Sequence, residues 1–434
     1  PRCGAASPKM ASKEIYLVTM KGDKSRPGLV SELTEAIGPH NVTILDIGQS
    51  EIHDMTSLGM LIEVGRDDSQ KLFKDLVFLA HHLSIDVNFT PVSSPDYERW
   101  VRSQNKGRFT VTVLARRIQA GAFSRVTKVI ADHSLNIDTI VRLSDCPSLR
   151  SSNMQNSRSA LQLHISGRPR SVSSLREELF KISMEHEVDV AVQEDDVFRR
   201  NRRLILFDMD STLIQCEVID ELAKHAGVGP QVAEITEAAM RGEIDFQESF
   251  RRRMRLLKGM KEGVLQGIAD TLPVTEGAPR LIANLKMLGY KVGILSGGFT
   301  YFARKLQKEL GIDYVHANEL DFKNGELTGE VKGTIVDAQR KAHLLREIAA
   351  KEGFSLKQVI AVGDGANDIP MLKLAGLGVA FHAKPKVKKE AQVGISTLGL
   401  DGVLYLLGIR DHEAGVMSSS ALPETPVPDR QPKL

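Results

Sequence analysis

Apolar positions along this chain follow two different periods. Residues 15–20 (Ile-Tyr-Leu-Val-Thr-Met) predict a strand, and Leu29, Leu33 and Ile37 then recur at helical spacing behind Pro27 and Gly28. Residues 42–52 and 58–64 predict a hairpin whose second arm carries Leu58, Met60, Ile62 and Val64 on one face. A second helix presents Leu72, Phe73, Leu76, Leu79, Ala80 and Leu83, after which Ile85, Val87 and Phe89 alternate again. The order is βαββαβ, and it occurs twice. Residues 109–114 echo 15–20 at an offset of 94, and 134–140 echo 41–47 at an offset of 93. The slipped residue falls in the first strand-to-helix loop. In the second copy Leu161, Leu163 and Ile165 form the third strand, Val172, Leu175, Leu179 and Ile182 the helix, and 188–192 the last strand.

The pattern then changes. Residues 204–207 (Leu-Ile-Leu-Phe) are a short continuous apolar run ending at Asp208, the mark of a strand buried on both faces. Similar runs at 292–295, 359–362 and 378–381 alternate with helical patterns at 302–310 and 342–350, which predicts an open parallel sheet. Residues 218–272 are helical throughout and read as a cap inserted after the first strand. The expected division is a disordered segment 1–12, α+β domains 13–92 and 107–196, an α/β domain 203–410 and a disordered tail 411–434. A polar linker is expected at 93–106, a mobile Ser-rich loop at 144–158 and a solvated basic linker at 198–203.

Composition narrows the class. With 434 residues, 42% apolar and 26% charged, the chain is neither disordered, collagenous nor a disulfide scaffold. A net charge of +2 supplies no field that would favour nucleic acid or an anionic membrane as partner. No apolar run approaches the roughly 20 residues of a membrane helix. Cys3, Cys146 and Cys216 lack metal-type spacing, which fits a reducing compartment, and a cytoplasmic location is expected.

In open parallel sheets ligands sit beyond the carboxyl ends of the strands. The residues there are Asp208-Met209-Asp210-Ser211-Thr212, Ser296-Gly297-Gly298 and Gly363-Asp364-Gly365-Ala366-Asn367-Asp368. Carboxylates crowded together need a cation, and oxygen donors without His or Cys suit Mg²⁺. A carboxylate beside Mg²⁺ with another two residues on can attack phosphorus and move a proton. Ser296-Gly-Gly before a helical pattern offers free N–H groups to phosphate, and Lys341 would offset the carboxylates. Taken singly, each motif also reads as a turn, a cap or a solvated lysine; their order and combination carry the argument.

Those four motifs, in this order, resemble the haloacid dehalogenase superfamily of phosphatases. Glu217, Met240-Arg-Gly-Glu-Ile-Asp-Phe246 and Glu248-Ser-Phe-Arg-Arg-Arg253 resemble phosphoserine phosphatases, and the two βαββαβ units are similar to ACT domains. The resemblance implies an α/β Rossmannoid sheet with an inserted helical cap, preceded by two ferredoxin-like ACT domains. It implies Asp208 as nucleophile, Asp210 as general acid and base, and Mg²⁺ held by Asp208, the Asp210 carbonyl and Asp364, with Asp368 in support. Ser296, Gly297, Lys341 and Asn367 would bind the phosphoryl group, Glu217 the substrate ammonium, Arg253 its carboxylate, and Phe246 would close the apolar side; Arg251, Arg252 or Arg255 stay alternatives to Arg253. The implied activity is hydrolysis of O-phospho-L-serine to L-serine, the last step of serine biosynthesis. Rival readings are hydrolysis of another small phosphomonoester and a non-catalytic amino-acid sensor. Gly22, Asp23, Arg26, Pro27 and Gly28 form a candidate effector loop for an amino acid, whereas the second unit's Arg116-Arg-Ile-Gln-Ala-Gly121 departs from the Asp-Arg-Pro-Gly form. A homodimer is expected, with residues 1–196 separable from the catalytic domain.

Overall fold

The computed structural model describes residues 13–23, 28–104, 106–146 and 157–414. Two compact units divide after Lys106. The first runs β1 (Lys13–Asp23), α1 (Leu29–Ile37), β2 (Thr43–Ile52), β3 (Met55–Gly65), α2 (Arg66–Leu83), β4 (Asp86–Val92) and α3 (Ser94–Ser103). Its antiparallel sheet has the order β2-β3-β1-β4. Alternation along β1 and β3 puts Val18, Met20, Leu58, Met60, Ile62 and Val64 on one face, where Leu33, Ile37, Leu72 and Leu76 of the helices bury them.

Two expectations are corrected here. The polar linker is largely a helix, α3, started by Pro95 and by the Ser93 hydroxyl, which accepts the Asp96 N–H at 3.2 Å. None of its residues is buried, so no apolar period betrayed it. Gly22 and Asp23, expected in a loop, end strand β1 opposite Thr56 and Met55. A Cβ on Gly22 would meet Ile85 at 2.3 Å, which accounts for the glycine. Gly28 precedes α1 at φ 102, a backbone glycine tolerates. Arg26 and Pro27 lie outside the described residues.

The second unit opens with β5 (Gly107–Ala115), α4 (Ala120–Asp132), β6 (Leu135–Arg142), β7 (Ser159–Gly167), α5 (Val172–Glu185) and β8 (Asp189–Glu194), in the sheet order β6-β7-β5-β8. There follow β9 (Leu204–Phe207), the cap helices α6 (Val218–Ala226), α7 (Gly229–Met240), α8 (Phe246–Leu256) and α9 (Val264–Thr271), then α10 (Ala278–Met287), β10 (Lys291–Phe299) and α11 (Thr300–Leu310). The chain continues through β11 (Tyr314–Lys323), β12 (Glu326–Lys332), α12 (Ala338–Lys351), β13 (Val359–Gly363), α13 (Ile369–Leu374), β14 (Leu377–Phe381), α14 (Pro385–Glu390), β15 (Val393–Ile395) and α15 (Gly402–Leu406). The seven strands order as β12-β11-β10-β9-β13-β14-β15, and β12 alone runs antiparallel to its neighbour. Strand β9 lies centrally and is buried over its whole length, as its unbroken apolar run requires.

The β5–β8 sheet is covered on both faces. Val111, Val113, Leu163 and Val192 pack on α4 and α5. On the other side Leu114, Ala160 and Ala191 enter the same core as Ile205, Phe207 and Leu404. Polar ties accompany that core: Asp189 accepts the Ser396 N–H (2.7 Å) and the Thr397 N–H (2.8 Å), and Gln193 donates to the Leu406 carbonyl (3.0 Å). The basic linker is only partly solvated: Arg200 is exposed, but Arg199 and Arg202 are only 3% and 6% exposed. Arg202 donates to the Lys357 carbonyl, and Arg199 lies 3.6 Å from Asp195. The tail boundary also moves. Asp411 accepts the Asp145 N–H and the Tyr405 hydroxyl and pairs with Arg280 at 2.8 Å, and Ala414 is buried. Residues 147–156 and 415–434 lie outside the described residues. Among the described residues no helix is long and apolar enough to cross a membrane.

Candidate active site

Asp208 follows β9, and its N–H donates to the Val362 carbonyl at 2.9 Å, fixing it at the sheet edge. One carboxylate oxygen accepts the Met209 N–H (2.7 Å) and the other lies 2.7 Å from Lys341 Nζ. Lys341 rides on α12, whose N-terminus is capped by Asp337 accepting the Arg340 N–H at 2.9 Å. Its ammonium is wholly buried and also lies 2.7 Å from Asp368. Burial alone would discharge it; Asp208 and Asp368 more than offset that and hold its pKa above the lysine range.

Asp364 follows β13 and accepts the Thr212 hydroxyl at 3.0 Å. Burial and the Asp208 charge push its carboxyl up to about 6, and the same two causes raise Asp368. Asp208, Asp364 and Asp368 each bring an oxygen within 4.8 Å of the others. The Lys341 ammonium serves Asp208 and Asp368, and Asp364 has no cationic side chain in ion-pair range among the described residues. An all-oxygen donor set short of positive charge fits a hard divalent cation. Gly363 makes the crowding sterically feasible, because a Cβ there would fall 2.4 Å from the Asp368 carboxyl.

Asp210 is half-buried, and desolvation of its carboxyl, with Glu217 and Asp208 nearby, raises it well above the usual range. Ser211 takes the left-handed φ of 54 and donates its hydroxyl to Glu217 at 2.8 Å. Desolvation at the cavity wall likewise raises Glu217. The neighbouring Cys216 thiol is pushed up to about 11 by burial, which favours the thiol over the thiolate. Across from Asp210, the buried Ser296 hydroxyl accepts the Gly298 N–H at 2.8 Å. A Cβ on Gly298 would lie 2.5 Å from Asp210 Oδ2. Asn318 pins this loop by donating to the Gly297 carbonyl (2.8 Å) and accepting the Val336 N–H (2.9 Å).

The cap closes over these groups. Asp245 caps α8 by accepting the Glu248 N–H at 2.8 Å; Phe246 stacks on Phe250 and approaches Gly297. Gln247 donates to Asp337 at 2.8 Å. Among the arginines, Arg251 contacts Gln247, Arg252 pairs with Glu248, and Arg255 lies 3.9 Å from Glu330. Arg253 differs: its Nε is buried without a partner, and burial lowers its pKa opposite Asp220 and Glu217. A cavity of about 1580 Å³ is lined by Asp208, Asp210, Glu217, Phe246, Arg253, Gly297, Asp364 and Asn367. Ser296, Lys341 and Asp368 are fully buried alongside it. Gly22, Asp23 and Gly28 belong to the other unit. Sequence reasoning passed over Ser211, Thr212, Gln247, Asn318 and Asp337 as site residues. Ser211 and Thr212 stood inside a quoted motif, whereas Gln247, Asn318 and Asp337 carry no local pattern.

Comparison with known proteins agrees with this architecture. The haloacid dehalogenase-like hydrolase profile matches residues 202–376, and ACT-domain profiles match residues 14–90 and 108–193. The chain is 41% identical to phosphoserine phosphatase SerB2 of Mycobacterium tuberculosis over 92% of its own length and 94% of that protein. It is 40% identical to a phosphoserine phosphatase of Streptomyces coelicolor, over 90% of this chain and 91% of the relative. Among solved structures, the unliganded probable phosphoserine phosphatase of Vibrio cholerae superposes with a TM-score of 0.55 at 37% identity, covering 72% of this chain and 88% of that one. Full-length likeness of this kind, on a sheet edge built as described, means that the chain belongs to the phosphoserine phosphatase family of haloacid dehalogenase-like hydrolases, here with two ACT domains ahead of the catalytic domain.

Proposed function

We propose that this phosphatase hydrolyses O-phospho-L-serine to L-serine and phosphate through a phosphoaspartate on Asp208. The observation that carries the reading is an Asp208 carboxylate fixed by Lys341 with, two residues on, an Asp210 carboxyl that desolvation, Glu217 and Asp208 push well above the usual range, as a general acid needs. Asp208 attacks phosphorus as the bond from phosphorus to the seryl oxygen breaks, and Asp210 gives its proton to that oxygen. Asp210 then takes a proton from water as the water attacks phosphorus and frees the Asp208 carboxylate. Ser296, Gly297, Lys341 and Asn367 hold the phosphoryl oxygens, helped by the N-terminus of α11. Mg²⁺ would be held by Asp208, the Asp210 carbonyl and Asp364, with Asp368 in support, and when bound it supplies charge stabilisation to the phosphoryl group.

Glu217 receives the ammonium and Arg253 the carboxylate; the unpartnered guanidinium nitrogen supports Arg253 over its neighbours. Phe246 closes the apolar side. The reading includes a cytoplasmic homodimer whose first ACT domain takes an amino-acid effector near Gly28. Its supports are the free Cys146 and Cys216 thiols and the exposed Ile44, Ile47 and Ile52 on edge strand β2. Phosphate release from L-phosphoserine, D-phosphoserine, phosphothreonine and phosphoethanolamine, with and without Mg²⁺, tests the reading. Mg²⁺-dependent preference for L-phosphoserine, lost in Asp208→Asn, is expected. Equal turnover of phosphoethanolamine, or turnover surviving in Asp208→Asn, overturns it.

A further inference from the structure

The cap joins the α/β body through two short segments, 213–217 and 272–276, and these pair with each other. Ile214 bridges Val274, the Gln215 N–H donates to the Pro273 carbonyl (2.9 Å), and the Thr275 N–H donates to the Leu213 carbonyl (2.9 Å). Any swing of the cap must bend this two-stranded hinge, one strand of which leaves Asp210 only three residues upstream. The hinge ends at Glu276, which borders the catalytic cavity.

Glu276 is held from outside the phosphatase domain. Arg116, in the loop between β5 and α4 of the second ACT domain, donates two parallel hydrogen bonds to its carboxylate, at 2.9 and 2.6 Å. The same domain makes a second contact just behind the hinge: Arg158 pairs with Asp401, which also pairs with Arg280 at 2.8 Å. Asp401 packs so closely on Gly277 that a Cβ there would fall 2.4 Å from its carboxylate. The Arg116 loop is the one whose sequence departs from the ligand-binding form.

We propose that Arg116 is a positioning residue for the phosphatase reaction: it anchors the cap hinge at Glu276, so that the second ACT domain sets how the cap closes. The pair is partly exposed, at 31% and 52%, and an exposed pair contributes little to global stability. Its two-pronged geometry instead fixes direction. A hinge strand released at one end populates the closed cap less, and apparent substrate affinity falls with that population.

The test uses the full chain carrying Arg116→Ala, Arg116→Lys, Glu276→Gln or the Arg116→Ala/Glu276→Gln pair. Hydrogen exchange of peptides covering 210–217 and 271–277 should quicken in both alanine and glutamine variants while the rest of the chain is unchanged. The KM for phosphoserine should rise about fivefold in each with kcat held within about twofold, the double variant should be no worse than either single, and Arg116→Lys should fall between. Unchanged exchange in the hinge peptides, additive KM effects, or faster exchange throughout the chain with KM unaltered would overturn the proposal. Should the wild type fail to hydrolyse phosphoserine, the substrate reading falls, and the exchange arm still decides the anchor.

Discussion

Asp364 is the residue at which removal of the proposed Mg²⁺ would be measurable as stability. Its carboxyl stands at about 6 against an ordinary 3.8, through burial and Asp208. A folded-state pKa above the unfolded one means the native state holds the proton more tightly, so this group's contribution is complete below about pH 4 and is lost as pH rises through about 6. The shift corresponds to about 3 kcal/mol at most. Chelator-treated protein should therefore melt lower near neutral pH than near pH 5 from this cause, and Mg²⁺ should remove the difference by neutralising the site. A melting temperature of the chelated protein that rises steadily from pH 5 to 7 would contradict it. Asp208, Asp210 and Asp364 were legible because each follows an apolar run, and Lys341 because crowded acids need a cation. Asn318 was not, since what it pins, Gly297 and Val336, meets it only in three dimensions.

Among elements, α12 and α8 meet in one contact that separates two effects. Asp337 caps the helix carrying Lys341 and also accepts the Gln247 amide from the cap. Asp337→Ala loses both and should cost about 1 kcal/mol of stability for the cap, together with weaker substrate binding. Gln247→Ala loses the bond across the cavity mouth and an exposed contact with Arg251 but no helix cap, so KM should rise while the melting temperature holds. Equal melting losses in the two variants would show that Gln247 supports the fold rather than cap closure. Elements with a buried face were readable from period alone, as in β3 or α2. Helix α3 buries nothing and so left only its Ser93 cap and Pro95 as signs. The Arg199 and Arg202 run shows the opposite failure: charge in sequence predicts solvent, but long cationic stems can lie under neighbouring elements with their heads on carbonyls or carboxylates.

At the scale of the molecule, the repeat in the sequence suggested two equivalent modules ahead of a catalytic domain, removable together at residue 196. The cores say otherwise. In the first unit Val18, Met60 and Leu72 belong to a core cluster of its own. The second repeat spends one sheet face on α4 and α5 and the other on the phosphatase, where Leu114, Leu143, Ala160 and Ala191 share a core with Phe207 and Tyr405. Periodicity could not reveal this, because Ala and Thr on the outer face of a sheet read the same whether water or another domain covers them. Truncation should therefore behave differently at two points. A chain starting at Gly107 should fold cooperatively and retain phosphatase activity, because the unit it removes has a core cluster of its own. A chain starting at residue 197 should melt at least several degrees lower or aggregate, since it exposes that apolar seam and gives up the Asp189 hydrogen bonds to the Ser396 and Thr397 N–H groups. It should also lose Arg116 and with it the hinge anchor, so any surviving activity should show the raised KM of Arg116→Ala. Melting curves and KM values on the two truncations decide the matter: a residue-197 chain as stable as the Gly107 chain, with the same KM, would show the second repeat to be a detachable module after all.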